Sequence, residues 1–258
     1  RERLETIRQD DVTQASGSAY FQTSIQWSPR VRTTAGVRGD LFHFDVRSDD
    51  PANSGTRQAT LASPKLGLVL GPFGSTEVYA NYGWGFHSND ARGAVQTRDP
   101  RTGEPVAPVD PLVRAKGAEV GVRAVAAGRY HGTVVFWGLD IASELLFVGD
   151  AGTTEASRPS RRLGVEWTNE LTLTRWLSLH ADLAWSRARF RDDDAAGDRI
   201  PGAVEGVISA GLTAQDRGGR SGTVRVGCFG PGPLVEHDRL RSNASATLNA
   251  RVSRRFGR

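Results

Sequence analysis

Along much of this 258-residue chain polar and apolar residues alternate one by one, and the alternation is interrupted by connections that switch between very short and long. In residues 177–185, Leu177, Leu179, Ala181, Leu183 and Trp185 fall on one side. Ser178, His180, Asp182 and Ala184 fall on the other. Val78, Ala80, Tyr82, Trp84 and Phe86 likewise oppose Glu77, Tyr79, Asn81, Gly83 and Gly85. In 165–173 the apolar side holds Val165, Trp167, Leu171 and Leu173, with Asn169 as its one polar member. A period of two is the signature of a strand with one face against something greasy and the other against water.

This pattern predicts eleven strands, at 16–27, 31–46, 60–70, 76–86, 114–126, 130–146, 162–174, 177–191, 203–215, 222–229 and 242–256. Most exceed the ~5–6 residues of a globular strand and reach the ~9–11 that a tilted membrane strand needs. Tight links fall at 28–30, 71–74, 127–129, 174–175 and 217–220; long ones fall at 48–58, 87–113, 149–161, 192–201 and 231–241. Short turns at one end and long loops at the other describe an up-and-down transmembrane barrel.

Composition fits that solvent. Hydrophobic residues make up 38% of the chain, and no run approaches the ~20 apolar residues of a spanning helix. A barrel needs no such run, because only alternate residues meet lipid. The formal charge of +4 is scattered among acidic residues, without the dense basic footprint that nucleic acid requires. Cys228 is the single cysteine, so neither an internal disulfide nor a CxxC zinc pair is available. His43, His87, His131, His180 and His237 are dispersed without metal-ligand spacing. Asp192, Asp193, Asp194 and Asp198 resemble a calcium loop in composition but lack its spacing, and read as a solvated acidic loop. The GPFG and GPGP segments are turn chemistry, since no helix follows them to hold a phosphate. No nucleophile elbow or supported Ser-His-Asp order suggests catalysis.

Three features favour lipid over the core of a soluble sandwich. Strands run on as polar residues beyond the apolar band, as at Arg187–Arg191. Trp27, Phe42, Phe44, Trp84, Phe86, Trp176 and Phe190 sit near strand ends, where membrane barrels carry aromatic girdles. The connections alternate in length, which a sandwich has no reason to do. In two places the pattern is irregular. Residues 31–46 switch face near Leu41 and Phe42, which predicts a bulge, and Val134–Trp137 is apolar on both sides. An odd strand number would leave bare edges in hydrocarbon, so the chain is expected to be one part of a larger closed barrel. No export signal is read at its start, and such a leader is expected to belong to a longer precursor.

The segment SPKLGLVLGPFGSTEVYANYGWGFHSNDARG, residues 63–93, resembles the central barrel region of TonB-dependent outer-membrane receptors. DPLVRAKGAEVGVR, SELLFVGDAGTTEASRPSRRLGVEWTN and ADLAWSRARFRDDDAAGDRIPGAVEG continue the resemblance in the expected order. It implies an all-β, antiparallel barrel of about 22 strands closed by a plug, of which this chain supplies about half. All of 1–258 would then belong to one barrel domain, with the plug domain and the terminal strand lying outside it. The resemblance further implies a monomer, when complete, in the bacterial outer membrane. Its partners would be outer-membrane lipid, a TonB-type energy-coupling protein acting through the plug, and a small-molecule ligand such as a ferric siderophore or similar metal chelate. Neither a cofactor nor a nucleic-acid partner is called for, and the expected activity is transport rather than catalysis. An outer-membrane barrel enzyme and a soluble β-sandwich binding module stay open as alternatives.

Candidate contacts follow from position. His87, Asn89, Asp90 and Arg92 open the longest loop, where they either face ligand or plug or organise the loop through Asx-type bonds. His180 and Asp182, with Glu166 and Glu170, are expected on the lumenal face, paired with plug or water.

Overall fold

The computed structural model describes residues 8–143, 145–148, 153–156, 158–216 and 218–255. Eleven of its strands form one antiparallel sheet in which each pairs with the next in the chain. They are β1 (Asp10–Ser28), β2 (Val31–Ser48), β3 (Gly55–Phe73), β4 (Thr76–Ser88), β5 (Leu112–Ala126), β6 (Tyr130–Ile141), β9 (Ser160–Thr174), β10 (Leu177–Phe190), β11 (Gly206–Gln215), β12 (Arg220–Phe229) and β13 (Ser245–Arg254). A separate hairpin, β7 (Leu145–Val148) with β8 (Thr153–Ala156), lies between β6 and β9. Every strand expected from the alternation is present. The one expected at 130–146 stops at Ile141, and Leu145 and Leu146 belong to the hairpin.

Turn chemistry sets the short ends. Ala127 and Gly128 both take positive φ, 51° and 61°, as a type I′ turn between twisted strands requires. Arg129 N–H then closes on Ala126 C=O at 3.0 Å.

Register joins the apolar side of every strand from β2 to β13. One row runs Val31, Leu70, Val78, Val122, Val134, Trp167, Leu183, Ile208, Cys228 and Ala246, each opposite the next. No second layer covers this face among the described residues. Leu183 is 41% exposed, Ile208 51%, Phe136 60% and Leu66 61%, although each lies within a hydrogen-bonded ladder. A soluble sandwich buries such a face; a membrane wall presents it to lipid. Asn169, the polar exception, accepts from Tyr130 O–H at 2.8 Å and donates to the Ala181 carbonyl at 3.1 Å. Its polar atoms are therefore satisfied before lipid is met.

The buried hydrophobic residues sit elsewhere. Phe44, Val46, Ala91 and Val95 form a small cluster at the long-loop end, with Phe42 and Leu112 against it. This overturns the expected bulge near Leu41. Pairing of β2 with β1 and with β3 passes through Leu41 and Phe42 without a shift. The strand keeps its faces, and its inner side turns apolar because the short helix α1 (Ala91–Val95) folds back onto it. The same packing corrects part of the girdle. Phe42, Phe44 and Phe190 point inward, Phe44 stacking on Phe42 at 5.9 Å and Phe190 lying under the Arg158 guanidinium at 4.5 Å. Trp27 and Trp176 do remain open at the short-turn rim, 64% and 57% exposed.

The two-sided apolar stretch in β6 also has a cause. Trp137 lies across Gly164, where an added Cβ would come within 2.6 Å of the indole. The inner apolar ring thus covers bare backbone on the neighbouring strand. Between β3 and β4, pairing ends at Lys65 opposite Gly83, beside Pro64, which has no N–H to offer a ladder. Above that point Arg114 Nη1 spans to the Ala62 carbonyl at 3.2 Å.

Candidate functional site

The face opposite the apolar rows is polar, and the ladders order its charges. Arg123 donates to Glu77 Oε2 at 2.6 Å and Asn81 Nδ2 to Glu119 Oε1 at 2.7 Å. His131, Glu170 and His180 stand in one row across β6, β9 and β10, with Asp182 opposite Thr168 in the next row on that face. They line a shallow recess near the short-turn end together with Arg123 and Thr133. No group of three or more His, Cys, Asp or Glu side chains among the described residues is arranged to hold a metal ion. His180, Asp182, Glu166 and Glu170 thus share one face of the sheet.

The second candidate set builds the mouth. His87 continues the β4–β5 ladder opposite Val113. Asn89 is buried, and its Nδ2 donates to the Asp110 carbonyl at 2.7 Å, tying both ends of the loop together. Asp90 caps α1 by accepting from Arg92 N–H at 2.9 Å, and the Arg92 guanidinium closes back on the same carboxylate. That guanidinium, hydrogen-bonded to it, holds the Asp90 carboxyl below the usual carboxylate range. Asp99 does the same further along: its carboxylate accepts from Thr102 and Arg101 N–H, bonds that lower its pKa. In geometry, then, Asn89, Asp90 and Arg92 are loop organisers. Only His87 Nε2 and Asn89 Oδ1 in this set are buried without a protein partner. The mouth set and the His180–Asp182 set lie at opposite ends of the inner face, so one small ligand cannot touch both.

Sequence reasoning passed over the residues that order the other loops. Arg158 pairs with Asp192 at 2.7 Å and Glu236 at 2.8 Å, linking the approach to β9 with the loops after β10 and β12. Arg199 pairs with Glu205 and Asp238, Arg241 with the same two, and Arg189 with Asp198. The acidic run 192–198 is therefore partly neutralised by arginines. Asn53, fully buried, accepts from Thr97 and Arg98 N–H through Oδ1 and moors the long loop. The partners of Arg158 and Asn53 lie 34 to 78 residues away, and no local pattern announces them.

One sheet, greasy outside and polar within, with short turns at one end and loops at the other, is the wall of an outer-membrane-type β-barrel. The family model described as TonB dependent receptor-like, beta-barrel matches residues 4–256, and the chain belongs to that family. Members of the family are transporters, not enzymes, and are outer-membrane proteins. No curated protein sequence matches the chain. Among solved structures it is similar to a protein titled copper transporter OprC, at TM-score 0.77 and 18% identity, covering 96% of this chain and 41% of that one. It is similar as well to the ferric-catecholate import receptor Fiu from K12 E. coli, at TM-score 0.71 and 15% identity, covering 96% and 39%. BauA, the ferric preacinetobactin receptor from Acinetobacter baumannii, aligns at TM-score 0.72 and 15% identity, covering 96% and 37%. At these identities the likeness is one of fold, and the chain spans about two fifths of those receptors.

Proposed function

We propose that this chain forms about half of the barrel wall of an outer-membrane receptor that imports a scarce nutrient of the metal-chelate class, a ferric siderophore or similar. In this reading a plug domain carried elsewhere in the protein closes the lumen. A TonB-type protein supplies the energy by acting on that plug, and the outer leaflet and loops meet the ligand first. The observation that carries the reading is the unbroken apolar row from Val31 to Ala246 on an uncovered face, backed by a charged inner face. The family match and the names of the similar proteins, which refer to copper and to ferric chelates, support the ligand class. His131, Glu170, His180 and Asp182 would meet the plug or water within the lumen, and His87 would face the vestibule above.

The test is deletion of the gene followed by growth on a panel of ferric siderophores as sole iron sources, and on limiting copper. Loss of growth on one source, restored by the intact gene and not by a strain lacking the coupling protein, is expected. Unchanged uptake of every chelate would refute the ligand class.

A further inference from the structure

On the outer face the apolar rows give way to charge at one level on neighbouring strands. Toward the long-loop end, Val120 and Ala118 are followed by Lys116, and Phe136 and Gly138 by Asp140. Val165 and Leu163 are followed by Arg161, and Leu183 and Trp185 by Arg187. Lys116, Asp140 and Arg161 stand opposite one another in one row, and Arg187 lies opposite Leu163 in the next row toward the apolar band. The Asp140 carboxylate is engaged by Arg161, which donates to it through Nε at 2.7 Å and through Nη2 at 3.0 Å. Arg189, opposite Arg161, is paired with Asp198. Lys116 and Arg187 are exposed and make no ion pair among the described residues. A second cation joins Lys116: its Nζ lies 5.2 Å from the centre of the Trp84 ring, and the Arg114 guanidinium lies 4.5 Å from it. Arg114 Nη1 donates to a neutral acceptor, the Ala62 carbonyl, at 3.2 Å. Trp84 is itself held, donating through Nε1 to the Tyr82 hydroxyl at 2.7 Å. Two cations gathered on one indole repel each other, and an anion between them removes that repulsion.

This belt faces out of the barrel and borders the apolar rows, so its anion belongs to a lipid. We propose that Arg114, Lys116 and Arg187 bind the phosphates of a multiply phosphorylated glycolipid in the outer leaflet. The long loops of such barrels face the cell exterior, which puts the belt at the headgroup level of that leaflet. Trp84, Tyr82 and Trp185 lie at the same border, where interfacial aromatics sit. From Lys116 on β5 to Arg187 on β10 the sheet crosses three ladders, about 14 Å at the usual strand spacing. One phosphate cannot reach both cations, whereas a headgroup carrying a phosphate at each end can. Each guanidinium donates to two phosphate oxygens as a fork, and the lysine acts as a point charge. The acyl chains lie below, over Val120, Phe136, Leu163 and Trp185, all exposed in this chain. The inference rests on the outer-membrane reading above.

The experiment uses the full-length receptor reconstituted in phosphatidylcholine vesicles carrying a small fraction of short-chain lipopolysaccharide, either intact or dephosphorylated. Mild detergent release and native mass spectrometry then measure the glycolipid retained. Wild type is expected to retain the intact form over the dephosphorylated one. The double variant K116Q/R187Q is expected to lose that preference roughly 30-fold, about fivefold for each cation beside an anionic headgroup. K116R/R187K, which keeps both charges, is expected to keep the preference. R175Q, in a short turn at the opposite rim, is expected to behave as wild type. Equal retention of the two forms by wild type overturns the proposal, as does a K116Q/R187Q protein that keeps the preference or an R175Q protein that loses it equally. Displacement of the glycolipid by an equal amount of phosphatidylglycerol also overturns it, because a headgroup with a single phosphate would then suffice. Failure to enter the bilayer at all overturns the membrane-wall reading and this site with it, whereas entry without a preference for phosphate sinks only the site.

Discussion

Leu183 and Ala184 are neighbours in the chain, yet the register places them in different solvents. Leu183 sits midway along β10 between Trp167 and Ile208, 41% exposed on the apolar face. Ala184 stands opposite Glu166 on the inner face. An arginine at position 183 would enter hydrocarbon near mid-strand, where such substitutions cost about 2–4 kcal/mol. That corresponds to a loss of folded, inserted protein of between roughly thirty- and several-hundred-fold. An arginine at 184 would meet water and a carboxylate, and its cost should stay within about 1 kcal/mol. The assay is reversible denaturant unfolding of the full receptor from vesicles, read by tryptophan fluorescence, for wild type, Leu183→Arg and Ala184→Arg. Equal penalties, or a larger one at 184, would refute the assignment of faces and with it the membrane wall.

Removing the carboxylate in Asp90→Ala takes away the α1 cap and the Arg92 pair; a loss of about 0.5–2 kcal/mol of local stability should appear as faster hydrogen exchange across 91–95. Because the Asp90 carboxyl titrates below its unfolded value, its contribution is present above about pH 4 and vanishes as pH falls through the lowered native pKa. Exchange in the loop of wild type should therefore rise on acidification, and the Asp90→Ala variant should lack that rise. Arg158→Ala should leave barrel unfolding unchanged while raising exchange in the loops holding Asp192 and Glu236, since it strips one cation from two carboxylates. Asn169→Leu should cost about 1–3 kcal/mol by orphaning the Tyr130 hydroxyl in an apolar setting, and adding Tyr130→Phe should recover most of it. A double variant no better than the single would show that the two groups are not coupled.

The strands were legible because their cause is local and periodic. Alternation in 76–86, 165–173 and 177–185 needs only neighbouring residues to be read, and each appears in the sheet with the faces expected, except that Phe86 at the end of β4 meets the inward Phe42 edge-on at 5.7 Å. The errors have a common origin. Phe42, Phe44 and Phe190 read as girdle aromatics because a side chain near a strand end meets either lipid or a folded-back loop, and the sequence spells both alike. The supposed bulge near Leu41 arose from the same confusion: a core formed with α1 made the inner face apolar where lipid had been assumed. At the mouth, Asp90 and Arg92 were readable as an Asx-type cap because the contact spans two residues. The arginine network was not, because Arg158 and Glu236 are 78 residues apart.

By itself the sequence determined that this chain is β-structured, that its strands are long, and that each has one greasy and one wet side. Those properties follow from residue order and a pleat that repeats every two positions. Which greasy residues stand uncovered, which charges face each other across ladders, and which loops are tied together only the tertiary structure decided. Register and loop return bring distant residues within hydrogen-bonding range, and a one-residue slip in register would send every side chain to the opposite solvent.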